Sequence, residues 1–407
     1  MTIAALTARL AATFADGELP RLGKGLDTVV RFRVGDAAVT ITITNGMARF
    51  APAHLEAAIE IAAPPAAWAK VLAVPPEPTF HAFTALALAN PAFTITGDPL
   101  VVAQGRPVLE RLIECLVASP PAAAEPVARD LGQITGVYRE IRANGKRYQV
   151  FVESAGSGAP VLCLHTAGAD ARQFQGQLAD VDLAGSHHFI APDLPFHGRS
   201  MPPRDWSGGP YRLTKKAYLG FCAAFIEQAI GEPAIIAGGS MGAAMALVLA
   251  AERPDLVRGI VAIEPPFRSK GRLNPYQHHV AVHGGLHNAS FVRGLMSPTS
   301  PLADRRRAAW IYSQGAPGIY AGDLAFYSEE FDGSVTAPMI CAARTPVALL
   351  CGTYDYSATP EDGAKLALLI PGAKLTIMGG LGHFPMCEHP DLFQPHFAAA
   401  LAHVRGG

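Results

Sequence analysis

One serine in this chain stands among glycines in a pattern that could do chemistry. Ser240 is the centre of "GGSMG", residues 238–242, with the apolar run "AIIA" before it and "AAMALVLAAERP" after it. A nucleophile at a sharp strand-to-helix turn needs small residues two positions to either side, because larger side chains would collide with the strand and the helix. The pattern therefore predicts Ser240 as a nucleophile; the alternative is a purely structural glycine turn.

A serine hydroxyl is a weak nucleophile unless a histidine accepts its proton and a carboxylate orients that histidine. The apolar run "PVALLCG" leads to Asp355, and the next run, "AKLTIM", leads to the loop with His383. We predict these two residues as acid and base, the alternatives being a turn former and a surface-loop histidine. Glu264, at the end of "GIVAIE", competes for the role of the acid, or else is a pocket or hydrogen-bonding residue behind the site.

Acyl chemistry at a serine also needs N–H donors for the oxyanion, one of them from the residue after the nucleophile. Met241 occupies that position. The second donor should come from the loop "HTAGADARQF", which follows the apolar run "PVLCL". There the N–H of Ala167 is the first candidate and that of Thr166 the next. His165 is predicted to organise this loop, because His383 already fills the role of the base.

Short apolar runs alternate with helical segments through the second part of the chain, and they must position these residues. The runs "PVLCLH", "HFIAPDL", "AIIAGG", "GIVAIE", "PVALLC" and "AKLTIM" lack polar alternation, as buried parallel strands do. With "YREIRANGKRYQVFVES" as an antiparallel pair before them, they predict a doubly wound α/β sheet. Each candidate lies just beyond the carboxyl end of a strand, where open α/β sheets place their sites.

The domain organisation follows from a composition shift at "ASPPAAAEPVARD", which predicts a linker over residues 118–130. Residues 1–117 are expected to form a small α+β domain. Its first helix has apolar residues at helical spacing, and "VTITITNG" predicts a hairpin that turns at Asn45 and Gly46. Residues 131–407 are expected to form the second domain.

Composition and charge exclude several classes of function. The 407 residues carry a net charge of -1, with a pI near 6.9, so they offer no basic field for nucleic acid. The sequence contains no uninterrupted run of about 18 apolar residues, so no membrane span is expected. The N-terminus does not resemble a secretory signal. The six cysteines are scattered, which predicts reduced thiols and a cytoplasmic location.

As a set, "HTAGA", "IAPDLPFHGRS", "GGSMG", "CGTYD" and "GHFP" resemble the α/β-hydrolase superfamily in order and separation, over roughly residues 130–407. The resemblance implies a mostly parallel, eight-stranded sheet with Ser240, Asp355 and His383 as the catalytic triad. His-Thr stands where that family usually has His-Gly, which leaves the second oxyanion donor open.

The resemblance also implies a helical cap, inserted at about residues 266–340, that sets specificity. Arg293 there either binds a substrate carboxylate or lies on a solvated helix face. His279 and His283 have the spacing of a metal pair, but no glutamate follows His279 and no third ligand stands out, so no metal or cofactor is expected. Aromatic residues of the cap are expected to line the pocket or to pack the cap core: Trp310, Tyr312, Tyr320, Phe326 and Tyr327.

The N-terminal region resembles the sterol-carrier-type lipid-binding domain more loosely. The stretches that carry this resemblance are "VVRFRVGDAAVTITITNG", "PPAAWAKVLAVPP" and "TGDPLVVAQGRPVLERLI". It implies a small α+β fold that holds an apolar ligand or associates with a second copy into a homo-oligomer. A wall over the active site is the remaining alternative.

The choice of nucleophile narrows the chemistry that the superfamily resemblance implies. Dehalogenation and epoxide opening proceed there through an aspartate, whereas this chain offers Ser240, which favours attack on a carbonyl. We therefore hypothesise a serine hydrolase that cleaves a carboxylic ester or lactone, a small to medium apolar molecule, through an acyl-enzyme. A carbon–carbon bond hydrolase or an acyltransferase with the same triad is the alternative, and a lipid-binding or scaffold protein with an inactive hydrolase part is the third hypothesis.

Overall fold

A computed structural model describes residues 2–117, 129–269 and 272–405. The chain divides into two compact units, one of Met1–Glu125 with Pro275–Pro301 and the other of Pro126–Asn274 with Leu302–Gly407. Most of the predicted linker, residues 118–128, lies outside the described residues. The segment Pro275–Pro301 was expected in the cap of the second domain, but it folds with the N-terminal residues.

The described residues form thirteen strands, in two sheets. In chain order they are β1 Asp27–Val34, β2 Ala37–Thr44, β3 Met47–Ala51, β4 Ile59–Ala63, β5 Thr94–Gly97, β6 Thr135–Ala143, β7 Lys146–Ala155, β8 Ala159–Leu164, β9 His187–Pro192, β10 Ala234–Gly239, β11 Val257–Ile263, β12 Val347–Gly352 and β13 Lys374–Met378.

The α-helices of the described residues are α1 Ile3–Thr13, α2 Leu19–Leu22, α3 Pro65–Val71, α4 Phe83–Leu88, α5 Pro99–Leu116, α6 Gln175–Leu178, α7 Val181–Ala184, α8 Lys215–Phe225, α9 Met241–Glu252, α10 Gly284–Arg293, α11 Leu302–Ser313, α12 Ile319–Leu324, α13 Gly333–Thr336, α14 Pro360–Leu369, α15 Pro385–Glu388 and α16 Pro390–Arg405. Short 3₁₀ turns occupy Leu131–Gln133, Ala171–Phe174, Pro254–Leu256 and Ala337–Met339, and π-helical turns occupy Ile226–Ile230 and Ala325–Glu330.

The second unit contains the predicted eight-stranded sheet. Its strand order is β13-β12-β11-β10-β8-β9-β7-β6, and the six strands from β13 to β9 are parallel. The two strands at the other end, β7 and β6, are antiparallel, as expected from the sequence. Residues of β8, β10, β11 and β12 are buried almost throughout, which explains their unbroken apolar runs. This is the α/β-hydrolase fold, and the prediction of the fold is confirmed.

The N-terminal unit is an α+β structure around a five-stranded sheet of order β3-β2-β1-β4-β5. The predicted hairpin joins β2 to β3, and Asn45 and Gly46 have φ angles of 50° and 77°, as a type I′ turn requires. Leu6 and Leu10 of α1 are fully buried, so this helix has the expected apolar face. The resemblance to a sterol-carrier-type domain stays a prediction.

Buried ion pairs join α10 to the N-terminal residues of the same unit. Arg293 is only 8% exposed; its guanidinium lies 2.7 Å from Glu18 and 2.6 Å from Glu114. Arg111 of α5 lies 2.7 Å from Glu114 and 3.4 Å from Glu18. Both expectations for Arg293 were therefore wrong, because this side chain is neither solvated nor free to bind a substrate carboxylate.

No helix within the described ranges combines the length and the apolar character that crossing a bilayer requires.

Replacing Arg293 by methionine should destabilise the N-terminal unit by about 2 kcal/mol. The cost is smaller than the roughly 3 to 5 kcal/mol of a fully unpaired buried charge, because Arg111 still faces Glu18 and Glu114. Amide hydrogen exchange in α5 and α10, followed by mass spectrometry, measures the loss as the free energy of local opening.

Arg21→Met is the matched control, because Arg21 is an exposed partner of the same Glu18, at 3.9 Å. It should change the free energy of opening by less than about 0.5 kcal/mol. Equal effects of the two substitutions would contradict the structural role of Arg293.

Candidate active site

The turn from β10 to α9 presents Ser240 as a candidate nucleophile. Its φ and ψ angles of 50° and −107° lie outside the ordinary regions for a residue with a side chain. A Cβ on Gly238 would lie 2.2 Å from the carbonyl oxygen of Gly242, and one on Gly242 would lie 2.2 Å from that of Leu164. Glycine at both positions is thus a steric requirement of this turn, which is held by a 2.8 Å bond from the N–H of Ser240 to the oxygen of Ile263.

The structure brings together the three residues that the sequence suggested as a triad. Nε2 of His383 lies 2.8 Å from Oγ of Ser240, and Nδ1 lies 2.6 Å from Oδ2 of Asp355. Each of the three is at most 4% exposed. Because they follow the carboxyl ends of β10, β12 and β13, the parallel sheet delivers all three to one edge. One imidazole can therefore accept the proton of the serine while the carboxylate orients its other nitrogen.

The second oxygen of Asp355 is held by the backbone. Oδ1 accepts the N–H groups of Ser357 at 2.7 Å and Ala358 at 3.1 Å, so the carboxylate cannot rotate freely. Burial raises the pKa of Asp355. The charge of His383, its hydrogen bond and the backbone N–H of Ser357 together lower this pKa by more than burial raises it, so the net pKa is below its ordinary value. The ionised form, which the histidine needs, is the favoured one.

Glu264, the competing acid, lies behind Asp355 at the end of β11. It is fully buried, and its two oxygens accept the N–H of Gly352 at 2.8 and 2.9 Å. Burial first, and then the charge of Asp355, raise the pKa of Glu264 well above its ordinary value, so the neutral acid is favoured. A side-chain hydrogen bond to Asp355 raises the pKa of Glu264 and lowers that of Asp355, as expected when Glu264 donates it. Of the two carboxyls, the structure pairs Asp355 with the imidazole.

The loop after β8 contains both candidates for the second oxyanion donor. The N–H of Thr166 donates to Oε1 of Gln173 at 2.9 Å, and that of Gly168 donates to Oδ2 of Asp323 at 2.7 Å. The N–H of Ala169 donates to the oxygen of Thr166 at 3.2 Å. No hydrogen bond to another described residue uses the N–H of Ala167. The geometry therefore favours Ala167 over Thr166 as the donor.

His165 holds the peptide between Thr166 and Ala167, which carries this candidate donor. Its Nε2 lies 3.2 Å from the backbone N–H of Leu194 and accepts it, and burial above all lowers its pKa to about 4, so the ring is neutral. Nδ1 must then carry the proton and donate to the oxygen of Thr166, 2.9 Å away. In a trans peptide the C=O and N–H bonds point in opposite directions. Because the oxygen of Thr166 points toward His165, the N–H of Ala167 in the same peptide points away from His165.

Met241 is the first residue of α9, a twelve-residue helix. The first N–H groups of a helix have no acceptor inside it, and the helix dipole makes that end attractive to negative charge. The N–H of Met241 is thus placed as the sequence suggested for an oxyanion donor.

Two side chains that support the site were missed in the sequence. Glu388, fully buried, accepts the N–H groups of Gly382 at 2.8 Å and Phe384 at 3.1 Å, the residues on either side of His383. Gln173 holds the N–H of Thr166. A glutamate five positions after His383 was a signal for the first; nothing in the local sequence indicated the second.

Aromatic side chains of the predicted cap contribute to the site in different ways. Tyr312 donates to or accepts from the hydroxyl of Thr166, and Nε2 of Gln173 donates to its oxygen at 2.9 Å. The hydroxyl of Tyr327 lies near the side chains of Ser240 and Ser269 without a hydrogen bond of regular geometry.

The remaining aromatic residues divide between packing and solvent. The ring of Tyr320 packs on Gly168, and fully buried Phe326 packs against Phe331. Trp310 is exposed, at the wall of a pocket that Arg172 and Gln173 also line.

The histidines with metal-pair spacing have other partners in the structure. Nδ1 of His283 accepts a hydrogen bond from the N–H of Leu286 at the start of α10. Nδ1 of His279 accepts one from the N–H of Ala281. Within the described ranges no group of three or more histidine, cysteine and acidic side chains is arranged to hold a metal.

Comparisons with known proteins match a part of the chain that includes the candidate site. The model of the alpha/beta hydrolase family matches residues 161–393, more than half of the chain. The chain is 26% identical to the 2-hydroxymuconate semialdehyde hydrolase of Pseudomonas sp. (strain CF600) over 271 residues, 63% of this chain and 90% of that protein.

Solved structures of hydrolases share the fold. A thermophilic esterase from Thermogutta terrifontis matches with a TM-score of 0.57 and 19% identity over 66% of this chain and 99% of its own. The enol-lactonase from Burkholderia xenovorans LB400 matches with a TM-score of 0.55 and 19% identity over 65% of this chain and 100% of its own. On the strength of the family match, this chain belongs to the alpha/beta hydrolase family.

Proposed function

We propose that this chain is a serine hydrolase that cleaves a carboxylic ester or lactone of a small to medium apolar molecule. The observation that carries the proposal is the single imidazole of His383, which lies 2.8 Å from the hydroxyl of Ser240 and 2.6 Å from the carboxylate of Asp355. These distances permit proton transfer without a rearrangement of the site. No cofactor is required by this chemistry.

The acylation step follows from these contacts. Oγ of Ser240 attacks the carbonyl carbon while Nε2 of His383 takes its proton, and Asp355 stabilises the imidazolium through Nδ1. The negative charge that develops on the carbonyl oxygen is stabilised by the N–H groups of Met241 and Ala167. The imidazolium then protonates the leaving alkoxide, and an acyl-enzyme remains on Ser240.

Deacylation repeats the same proton transfers with water. His383 takes a proton from a water molecule, whose oxygen attacks the acyl carbon, and the second tetrahedral intermediate uses the same two N–H donors. Collapse of the intermediate returns the proton to Oγ of Ser240 and releases the carboxylic acid.

A carbon–carbon bond hydrolase is the second candidate, and the similarity to a 2-hydroxymuconate semialdehyde hydrolase favours it. In such a reaction the serine triad would act on a vinylogous diketone. The group that leaves would be a stabilised carbanion in place of an alkoxide, and the imidazolium of His383 would supply its proton. The triad and the oxyanion donors serve both reactions equally.

Ser240 should react covalently with a fluorophosphonate, because this reagent phosphonylates serines whose hydroxyl is activated as a nucleophile. We expect time-dependent labelling of Ser240 alone and a burst of nitrophenol from p-nitrophenyl acetate or butyrate, measured by mass spectrometry and stopped-flow absorbance.

The Ser240→Ala variant should lose both signals, and Ser313→Ala, a serine of α11 outside the site, should keep both. A folded wild-type protein that takes up no label would overturn the proposal in both of its forms.

Asp355→Asn should lower kcat by about 10⁴-fold, because an amide can neither fix the required tautomer of His383 nor stabilise its charged form. Glu264→Gln should keep kcat within about threefold, because the raised pKa of Glu264 already favours a neutral group of the same shape. Steady-state kinetics on one p-nitrophenyl ester measure both. A large loss of kcat in Glu264→Gln together with a small loss in Asp355→Asn would assign the role of the acid to Glu264.

Product analysis separates the two candidate reactions. The wild-type protein is assayed against a panel of alkyl esters and lactones and against a vinylogous diketone, with the products identified by chromatography. We expect the higher kcat/KM on an ester or lactone. A diketone cleaved about 100-fold more efficiently than every ester would replace the first candidate by the second.

A further inference from the structure

The oxyanion loop is in contact with a helix of the predicted cap. This helix is α12, and its Asp323 is fully buried. The carboxylate of Asp323 accepts three hydrogen bonds: from the N–H of Gly168 at 2.7 Å, from Nε2 of His197 at 2.8 Å and from the hydroxyl of Tyr211 at 2.8 Å. Neither His197 nor Asp323 takes part in the proton transfers proposed above, although both are as deeply buried as the triad.

The bond to Gly168 fixes the chain directly after the proposed oxyanion donor. Ala167 has the peptide oxygen of Thr166 anchored before it and the N–H of Gly168 anchored after it. Gly168 has a φ angle of +72°, and the ring of Tyr320, also in α12, fills the space where a Cβ would lie. The backbone on both sides of Ala167 is therefore held, and so is the direction of its N–H.

His197 compensates the buried carboxylate of Asp323, to which it lies within hydrogen-bond distance at 2.8 Å. A buried carboxylate is unfavourable unless a charge and hydrogen bonds compensate it. Burial lowers the pKa of His197, but the charge and the hydrogen bond of Asp323 raise it by more, so the net pKa lies above its ordinary value. The neighbouring ring of His165, 4.9 Å away between centroids, has its pKa lowered to about 4, so the pKa values of the two adjacent histidines are shifted in opposite directions.

We propose that Asp323 is a positioning residue for the oxyanion hole, which acts through the N–H of Gly168 and touches neither substrate nor triad. On this account the cap helix α12 and the oxyanion loop move as one body, and the stabilisation of the tetrahedral intermediate depends on the cap. The inference rests on the proposed function, since it assigns Asp323 to that reaction.

The test is the Asp323→Asn variant of the full chain. Asparagine has the same shape, but it offers one acceptor oxygen and one NH₂ group, which is a donor. It therefore cannot accept all three hydrogen bonds that the carboxylate of Asp323 accepts. We expect kcat on p-nitrophenyl butyrate to fall by about 10- to 100-fold, with KM changed by less than about threefold. Deleting one oxyanion donor lowers kcat by about 10²- to 10³-fold, and a donor that is present but less firmly held should lose only part of that factor. Affinity for an alkyl trifluoromethyl ketone, which forms an oxyanion on Ser240, should fall by about the same factor as kcat.

Glu329→Gln is the matched control, because it makes the same chemical change in the next turn of the chain, where Glu329 is exposed and paired with Arg212. It should leave kcat, KM and ketone affinity unchanged. A folded Asp323→Asn protein with wild-type kcat and ketone affinity would overturn the inference, and so would an equal loss of ketone affinity and of affinity for a non-reactive alcohol analogue.

Tyr211→Phe keeps the test open if Asp323→Asn does not fold. It removes one of the three donors and leaves the carboxylate in place, so we expect a loss of about threefold in kcat and in ketone affinity. Wild-type values in this variant would then overturn the inference. A wild-type protein that shows no labelling at Ser240 would instead overturn the proposed function, which keeps the two failures distinct.

Discussion

The imidazole of His383 must face a carboxylate with one nitrogen and a hydroxyl with the other, and both neighbours must be held while the ring changes charge. At 2.6 and 2.8 Å, the contacts leave no room for a ring that rotates. The backbone N–H groups that hold Asp355, the strained turn at Ser240 and the carboxylate of Glu388 on the loop of His383 all serve this requirement. The fold meets it because parallel strands end at one edge of the sheet.

The buried carboxyl groups around the site differ in their partners and in the protonation form that is favoured, and these differences come from the surroundings of each group. Asp355 faces the imidazole and is favoured in its ionised form, whereas Glu264 faces backbone and a second acid and is favoured in its neutral form. Asp323 is compensated by His197 and accepts the N–H of Gly168 in the oxyanion loop. Two like charges side by side would repel in a medium of low polarity, so only one member of the adjacent pair ionises readily.

The sequence predicted the parts of the site that depend on local pattern. The positions of Ser240, Asp355 and His383 follow from apolar runs that end in glycine turns, and the strand order of the sheet confirmed the fold that these runs indicate. The contact of Asp323 with Gly168 joins residues 155 positions apart and has no periodic signal, so only the folded chain reveals it. The expectation that Pro275–Pro301 belongs to the cap came from the resemblance, which implies an insertion at this point of the chain but does not show with which unit each part of it folds.

The most direct measurement is a crystal structure of the protein after reaction with an alkyl fluorophosphonate. Our account predicts a phosphorus atom bonded to Oγ of Ser240, with the phosphoryl oxygen about 2.7 to 3.1 Å from the N–H nitrogens of Met241 and Ala167. The ring of His383 should remain beside the modified oxygen. A label on another residue, or a phosphoryl oxygen directed away from both nitrogens, would contradict the account.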